Sequence, residues 1–405
     1  MRFLHTSDWH LGRAFHGVGL LPAQELFLDD LVATVEQEQV DAVLVSGDVY
    51  DRALPPPDAV RLLSRTLGRL RRAGAEVVLS AGNHDSPARL GFADEVLATA
   101  GVHVRTTADS LTDPVRIGGV EVFPVPYLEP AFAADRLGAG ERSHAGVLRA
   151  VTGRIHDARS ADLPAVVMAH VFAAGATTTD SERDVSVGGL GVVPAEVFDA
   201  FDYAALGHLH RPQQLSERVR YSGSPVAMSF SETGQVKSSL LVDLDEHGLA
   251  VREVPAPVLR PLARLRGTLE QLLDDPALEK HADSWVEATL TEHAPRAMER
   301  LRTRFPHCLR LDVDAPSRQG DLRSYADRVR GRTDLQLCCD FVEHVLGRDA
   351  DESEQELLRE AIDGAAVQRR GAERETPGGE EAAGDEAAGD RPADEPAARR
   401  STGAA

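Results

Sequence analysis

The sequence predicts an α/β protein in which polar residues gather at the ends of buried strands. Five short apolar runs each end in a cluster of Asp, Asn or His, and helical patterns separate the first three runs. From about residue 261 the pattern changes, which indicates a second, smaller folded unit. The chain of 405 residues also exceeds the roughly 250–300 residues of a single hydrophobic core, so at least two folded units are expected.

The five apolar runs have the length and composition of buried strands. They are Arg2–Ser7 before Asp8, Ala42–Ser46 before Asp48, Val77–Ala81 before Asn83, Ala165–Ala169 before His170, and Tyr203–Leu206 before His208. Helical patterns at Gln24–Gln39 and Asp58–Ala73 lie between the first three, and three prolines precede the second pattern, as suits a helix start. This alternation predicts a largely parallel sheet with crossover connections. Ligands collect outside the carboxyl ends of such strands, where every polar cluster falls.

Further strands are predicted at Tyr221–Phe230 and Lys237–Leu244, and we expect them to complete a second sheet. The smaller unit consists of a strand, a helix and a strand, at Trp285–Leu290, Pro295–Phe305 and Cys308–Val313.

Two helices with apolar faces are predicted near the C terminus, at Asp340–Gly347 and Ser353–Ala366. Ser353 and Glu356 have the spacing of a capping box for the second helix. Beyond Gly371 the chain has no aromatic or large aliphatic residue to bury, so we expect a disordered acidic tail.

Charge and cysteine content limit the possible functions. A net charge of −21 argues against a general affinity for nucleic acid, because phosphate neutralisation supplies most sequence-independent DNA binding. Part of this charge lies in the tail, and bound divalent ions would reverse its sign locally. We therefore expect weak DNA binding by this chain alone. The three cysteines lack metal-binding spacing and are expected to be reduced. Without a secretory signal or a membrane-length apolar run, the expected location is cytoplasmic.

The polar clusters contain the donors needed to hydrolyse a phosphodiester with two adjacent divalent cations. Such a pair needs a bridging carboxylate and about three further protein ligands for each ion. Asp48 follows a glycine at a strand end and is the natural bridge. Asp8 and His10 form one set of further donors, and Asn83 and His170 form the other. His208 and His210 complete the two sets, one in each, in either order. Oxygen and imidazole donors without thiolate suit Mn²⁺, Fe²⁺ or Zn²⁺, and the carboxylates favour Mn²⁺.

The order of these motifs resembles that of the calcineurin-like phosphoesterases. The motifs are Asp8-Trp9-His10-Leu11-Gly12, Gly47-Asp48-Val49-Tyr50-Asp51, Gly82-Asn83-His84-Asp85, His170 and Gly207-His208-Leu209-His210. The first motif and the stretch GHLHRPQ at 207–213 are specifically similar to the SbcD family, the bacterial recombination-nuclease branch. The match covers about residues 1–230. It implies a four-layer sandwich of two mixed sheets flanked by helices, with a small α/β capping domain and C-terminal helices.

The resemblance also implies a division of the chain into four segments. A metallophosphoesterase nuclease domain would span 1–258 and a capping domain 259–318. A helical segment that binds the ATPase SbcC would span 319–370, and the disordered acidic tail 371–405.

Carried over position by position, the resemblance implies a role for each site residue. It implies that one metal is held by Asp8, His10, Asp48 and His210, and the other by Asp48, Asn83, His170 and His208. His84 matches the histidine that contacts the scissile phosphate, so it would stabilise the transition state or protonate the leaving group. Asp51 and Asp85 are candidates for orienting imidazoles through hydrogen bonds, and equally for capping turns or helices.

The activity that the resemblance implies is that of a nuclease with two Mn²⁺ ions per chain. It would act as a 3′→5′ exonuclease on duplex DNA ends and as an endonuclease on single strands and hairpins, in DNA repair, recombination and replication. ATP hydrolysis would come from SbcC, because this chain has no GxxxxGK[ST] motif. The family forms homodimers within a heterotetramer.

Alternative interpretations exist for the function and for several residues. The acidity favours a small-molecule phosphodiesterase or phosphatase, against which the capping unit and terminal helices argue, and a non-catalytic DNA tether is the third possibility. Four arginines that follow the motifs are either DNA contacts or solvated loop residues: Arg13, Arg52, Arg89 and Arg211. Gly175–Gly189 is either a mobile loop near the substrate or a connector. Trp9 is expected to be packed, and His5 to be a structural or surface histidine.

Overall fold

In a computed structural model of the chain, residues 1–182, 191–314, 332–346 and 348–374 are described. The chain divides into two compact units, Met1–Ser317 and Arg318–Ala405. Within the described ranges, the helices are all too short or too polar to cross a membrane.

The strands of the first unit are, in chain order, β1 (Arg2–Thr6), β2 (Ala14–Phe15), β3 (Val18–Gly19), β4 (Ala42–Ser46), β5 (Glu76–Ser80), β6 (Val102–Arg105), β7 (Val115–Ile117), β8 (Val120–Pro124), β9 (Ala165–His170), β10 (Phe172–Ala173), β11 (Val192–Val193), β12 (Tyr203–Gly207), β13 (Gln213–Gln214), β14 (Val219–Tyr221), β15 (Ser238–Asp245), β16 (Gly248–Pro255), β17 (Leu262–Gly267), β18 (Trp285–Leu290) and β19 (Cys308–Val313). Its helices are α1 (Leu21–Glu38), α2 (Pro57–Arg72), α3 (Pro87–Leu90), α4 (Asp94–Thr99), α5 (Pro130–Leu137), α6 (His144–Ala158), α7 (Leu269–Asp274) and α8 (Ala297–Arg304).

Two six-stranded mixed sheets form the larger part of this unit. The first has the order β16-β15-β1-β4-β5-β6, with β1, β4, β5 and β6 parallel and β15 antiparallel to β1. The second has the order β13-β14-β12-β9-β8-β7, in which β8, β9, β12 and β14 are parallel. The parallel strands are buried along almost their whole length, because both faces of each sheet are covered.

Three hydrophobic clusters bind these sheets into the predicted four layers. α1 and α2 pack on the outer face of the first sheet, and α5 and α6 on that of the second. The apolar side chains between the sheets include Phe3, Leu44, Val166, Met168 and Tyr203. This arrangement of helices, sheet, sheet and helices confirms the fold class expected from the sequence. It brings the carboxyl ends of the parallel strands of both sheets to one region.

The smaller part of the unit is a three-stranded parallel sheet of β17, β18 and β19 with α7 and α8. A separate core, which includes Val286, Leu301 and Phe305, holds it together. Thr268 begins α7 with a capping box in which its hydroxyl and the Gln271 side chain exchange hydrogen bonds with backbone N–H groups.

In the second unit, α9 (Asp334–Leu346) and α10 (Glu352–Arg374) are longer than the sequence predicted. The predicted capping box of Ser353 and Glu356 is wrong by two residues. Asp351 Oδ1 accepts the Glu354 N–H at 2.9 Å, and Glu354 Oε2 accepts the Asp351 N–H at 3.0 Å. Ser353 instead donates its hydroxyl to Asp351. The predicted tail beyond Gly371 lies outside the described residues from 375 onward.

Two strand predictions are corrected by the structure. Tyr221–Phe230 is not one strand, because β14 ends at Tyr221 and a short 3-10 turn occupies Phe230–Glu232. The strand predicted at Lys237–Leu244 exists as β15, but it pairs with β1 in the first sheet and not in the second.

Candidate metal centre

The predicted site residues follow five parallel strands of the two sheets. Asp8, Asp48 and Asn83 follow β1, β4 and β5, which are neighbours in the first sheet. His170 ends β9 and His208 follows β12, its neighbour in the second sheet. Since the parallel strands of each sheet end at the same edge, their side chains meet there.

Asp48 lies at the middle of the cluster. Its Oδ2 is 3.5 Å from Nε2 of His10 and 3.3 Å from Nε2 of His170. His10 Nε2 is in turn 3.1 Å from Nε2 of His210, and His170 Nε2 is 2.9 Å from Oδ1 of Asn83. The Asp48 carboxylate is therefore placed between two groups of donors, as a bridging ligand must be.

The donor atoms fit divalent cations in number, type and spacing. Three overlapping groups have donor atoms within 4.8 Å of one another: Asp8, His10 and His210; Asp8, Asp48 and His170; and His10, Asp48 and His84. All of these side chains are buried. His208 lies outside these groups, with its ring centroid 5.2 Å from that of His170. Carboxylate, amide and imidazole donors suit a hard or borderline divalent ion.

Four of the candidate ligands have backbone conformations that side chains rarely adopt. The φ angles of Asp8, His10, Asp48 and His208 are 53°, 44°, 48° and 100°. Such conformations cost about 1–3 kcal/mol each and persist only where the surrounding structure imposes them, which happens most often at functional sites.

Two glycines allow the strand ends that carry candidate ligands to approach one another closely. A Cβ on Gly47, which has a φ of 84°, would lie 2.3 Å from His170 Nδ1. A Cβ on Gly82 would lie 2.2 Å from Asp48 Oδ1. Any side chain at either position would therefore displace a candidate ligand.

Backbone carbonyls orient two of the imidazoles. His170 Nδ1 donates to the Ser46 carbonyl at 2.9 Å, and His84 Nδ1 donates to the Asp51 carbonyl at 2.7 Å. A carbonyl only accepts, so both Nδ1 atoms carry protons. Without a metal, the Asp48 carboxylate favours the protonated ring of His170, and loss of the Nε2 proton would leave a lone pair able to bind a cation. The His84 backbone N–H also donates to Asp48 Oδ1 at 2.9 Å, which ties this residue to the centre.

Asp85 connects the second and third motifs. Its carboxylate accepts the backbone N–H groups of Val49, Tyr50 and Gly82 at 3.1, 2.9 and 2.9 Å. Burial and then the nearby Asp48 raise the pKa of Asp85 to about 7, despite these hydrogen bonds. The residue thus braces the loops that carry the ligands instead of contacting an imidazole.

Asp51 and Arg13 form a second brace. The Asp51 carboxylate is 3.7 Å from His10 Nδ1 and accepts from Arg13 Nη1 at 3.3 Å. Arg13 also donates to the Ser181 carbonyl at 3.0 Å. Ser181 belongs to the segment predicted as a loop or connector, of which residues 183–189 lie outside the described part of the chain.

Burial and mutual attraction shape the charges of the centre. Burial raises the pKa of Asp8 to about 6, although His170 opposes this effect. For Asp48, burial also disfavours the charge, but His170 and the other imidazoles together hold its pKa well below the ordinary value. Asp48 is therefore the carboxylate that stays ionised most readily.

Sequence reasoning missed Gln24 of α1, which fixes the first motif. Its Nε2 donates to the carbonyls of Trp9 and His10 at 3.0 and 2.7 Å, and its Oε1 accepts the Gly12 N–H at 3.1 Å. The one sequence feature that could have indicated this role is the position of Gln24, a polar residue on the apolar face of a helix. Trp9 is packed as predicted, with its ring against Phe27.

Comparison with known proteins gives two family matches and several curated relatives. Residues 1–212 match the family described as calcineurin-like phosphoesterase, and residues 258–346 match the type 5 capsule protein repressor C-terminal domain, SbcD_C. The SbcD protein of the SbcCD nuclease from Staphylococcus saprophyticus is 30% identical over 318 residues, which are 77% of this chain and 84% of that protein.

Similarity to solved structures is slight. A dimetal phosphatase from Danio rerio is 13% identical, with a TM-score of 0.33 over 63% of this chain and 96% of that one. The Fpglu1 protein of Fervidobacterium is 11% identical, with a TM-score of 0.20 over 76% of this chain and 80% of that one. Neither likeness supports a conclusion about fold or function.

Proposed function

The chain belongs to the calcineurin-like phosphoesterase family and to its SbcD branch, and from this membership we propose that it is the catalytic component of an SbcCD nuclease that hydrolyses DNA phosphodiesters with two divalent ions. The observation that carries the proposal is the convergence of carboxylates and imidazoles from five strand ends around Asp48. We propose a nuclease domain at 1–258, a capping domain at 259–318, an SbcC-binding segment at 319–370 and an acidic tail at 371–405.

The proposed ligand sets share the Asp48 carboxylate. One ion is assigned to Asp8, His10, Asp48 and His210, and the other to Asp48, Asn83, His170 and His208. The short distances from His10 to His210 and from His170 to Asn83 support this division. Sites that combine carboxylate, amide and imidazole ligands accept Mn²⁺, Fe²⁺ or Zn²⁺, and we propose Mn²⁺ as the physiological ion.

In the proposed reaction, the residues of the chain hold the phosphate in place and move one proton. A divalent pair, when bound, supplies a nucleophile at neutral pH and neutralises phosphate charge. His84 has Nδ1 fixed by the Asp51 carbonyl, so in the protonated ring Nε2–H is directed away from that carbonyl. We assign to Nε2–H the donation of a proton or hydrogen bond to the phosphate and its departing oxygen, a role typically worth 10²–10⁴-fold in rate.

Three arginines in a cavity beside the centre support a polyanionic substrate despite the net acidity, although Asp180 and Glu287 line the cavity as well. The cavity, of about 310 Å³, is lined on the capping side by Arg264 and Arg310 and on the catalytic side by Arg13. Glu287, which is buried, holds both capping arginines at 2.6 and 3.2 Å. Fixed cations at this position suit the phosphates of a DNA strand that extends from the metal centre.

For partners, we propose DNA and the SbcC ATPase, in a heterotetramer built on a homodimer of this chain in the cytoplasm. The exposed side chains of Phe341 on α9 and Leu357 on α10, each 66% accessible, support docking of these helices into an apolar groove of SbcC. The activities proposed are 3′→5′ exonuclease on duplex ends and endonuclease on single strands and hairpins, for DNA repair, recombination and replication.

The test is degradation of end-labelled linear duplex and hairpin DNA by the purified chain with Mn²⁺, with and without SbcC and ATP. We expect cleavage that requires Mn²⁺ and increases with SbcC, with label released in the 3′→5′ direction. Inert DNA beside rapid turnover of a cyclic nucleotide would refute the proposal and favour a small-molecule phosphodiesterase.

A further inference from the structure

We propose that Ser181, Glu232 and Lys237 form a buried hydrogen-bonded chain that fixes the tautomer and orientation of His210. All three would be positioning residues, because they act on the centre through this histidine. The inference rests on the proposed function in one respect, namely that His210 binds a cation through Nε2.

The chain of contacts begins at the ring nitrogen that faces away from the centre. His210 Nε2 is 3.1 Å from His10 Nε2, whereas Nδ1 is 2.6 Å from Ser181 Oγ. Ser181 Oγ donates to Glu232 Oε1 at 2.7 Å, and the other carboxylate oxygen of Glu232 forms an ion pair with Lys237. His210, Ser181, Glu232 and Lys237 are all buried.

The direction of each hydrogen bond follows from the groups at the far end. The Lys237 ammonium has only donors, and the Glu232 carboxylate, with which it forms an ion pair, has only acceptors. Ser181 gives its single proton to that carboxylate, so its oxygen accepts a proton from His210. Nδ1 of His210 therefore carries the hydrogen, and the lone pair of Nε2 points towards the candidate metal position.

Lys237 and two neighbouring residues, Glu182 and Ser224, hold the backbone of His210 on both sides. Its N–H donates to Glu182 Oε1 at 2.8 Å, and its carbonyl accepts from Lys237 Nζ at 2.8 Å and from the Ser224 N–H at 3.1 Å. Thr179 Oγ1 lies 2.8 Å from Ser181 Oγ but donates to Glu182 Oε2, so it does not compete for the Nδ1 proton.

The energetics favour a functional reason for this network over a purely structural one. A buried ion pair loses the hydration of both charges, and an apolar pair of similar volume is often as stable. Here each donor of Lys237 is directed at Glu232, at the His210 carbonyl or at the Ser224 hydroxyl, which lies 3.1 Å away. Partners of metal-bound histidines fix the ring, and their loss typically weakens metal binding or activity 10–100-fold.

The test compares Ser181→Ala with Ser181→Thr, which retains a hydroxyl. Ser143→Ala serves as the control, because this serine caps α6 and its side chain bonds to Glu141 and Gly146 and not to a candidate ligand. Mn²⁺ binding to each full-length protein is measured by titration calorimetry, and thermal unfolding and DNA cleavage are measured alongside. Glu232→Gln is less suitable, since it leaves Lys237 buried without its counter-charge.

We expect Ser181→Ala to weaken the binding of one of the two Mn²⁺ ions by about 10–100-fold and to leave the affinity for the other ion unchanged. The kcat of DNA cleavage by Ser181→Ala should be reduced at low Mn²⁺ concentration and should recover at high Mn²⁺ concentration. Ser181→Thr and Ser143→Ala should bind both ions as the wild type does. Wild-type Mn²⁺ affinity in Ser181→Ala, or equal weakening of both ions, would overturn the inference. A wild-type chain that binds two ions but does not cleave DNA would refute the proposed nuclease function and leave the inference about His210 intact.

Discussion

Replacing His5 should remove a defined part of the protein's sensitivity to acid. The ring is buried between the two sheets, where Nε2 lies 3.1 Å from the Leu206 carbonyl oxygen and Nδ1 lies 3.0 Å from the Tyr203 hydroxyl. Nε2 therefore carries the proton and Nδ1 accepts from the tyrosine. Burial lowers the pKa of His5 from 6.5 to about 3, although the hydrogen bond to Leu206 opposes this effect.

The sign and the size of the effect follow from the two pKa values. The unfolded chain binds a proton at His5 before the folded protein does, so stability is lost as the pH falls below about 6.5. The loss is complete near pH 3, where the folded protein is also protonated. Each pKa unit between the two states corresponds to about 1.4 kcal/mol, which gives about 2 kcal/mol lost at pH 5 and about 5 kcal/mol at most.

The assay is urea unfolding of the wild type and of His5→Gln at pH 7 and pH 5, in the presence of a chelator. We expect the free energy of unfolding of the wild type to fall between these pH values by about 2 kcal/mol more than that of the variant. His247→Gln is the control, because His247 is 83% exposed. If His5→Gln loses as much stability as the wild type over this range, the buried neutral histidine is not the cause.

Substitutions at four further positions test the centre and the second unit. His84→Ala should retain both metals and lose about 10²–10⁴-fold in kcat, whereas Asp48→Ala should lose metal as well. Elemental analysis together with a cleavage assay distinguishes the two variants. An active Asp48→Ala enzyme would refute the assignment of Asp48 as the bridging ligand. Asp85→Ala leaves three buried N–H donors without their acceptor, and each unsatisfied donor costs about 1–3 kcal/mol. The free energy of unfolding should therefore fall more in Asp85→Ala than in Asp85→Asn, which keeps an acceptor oxygen. Asp351→Ala should destabilise the first turn of α10, seen as faster amide exchange there, and unchanged exchange would contradict the observed cap.

The sequence predicted the inner strands and the strand ends that carry the candidate site residues, because both depend on local patterns. Ala42–Ser46 and Trp285–Leu290 have the predicted bounds, since a run of apolar residues between turn residues leaves little freedom. The grouping of Asp8, Asp48 and Asn83 was predictable because they follow β1, β4 and β5, parallel neighbours whose carboxyl ends lie at one edge of the first sheet.

Features that depend on distant pairing were not predictable. The run Tyr221–Phe230 contains Gly223 and Pro225, which interrupt a strand, yet its apolar residues resemble one. The pairing of β15 with β1 joins residues about 240 positions apart, and no local pattern specifies the partner. Gln24 and Ser181 act on the centre through contacts made only after the sheets and loops have packed.

The candidate ligands come from both sheets, so a bound divalent ion would hold the sheets together and its supply would influence how long the protein survives. An ion that binds only the folded chain stabilises it by about 2.7 kcal/mol at a hundred times its dissociation constant. A cell starved of the ion would therefore hold a population that opens more often at the seam between the sheets. Proteases act on opened chains, so scarcity would reduce the amount of enzyme as well as its rate.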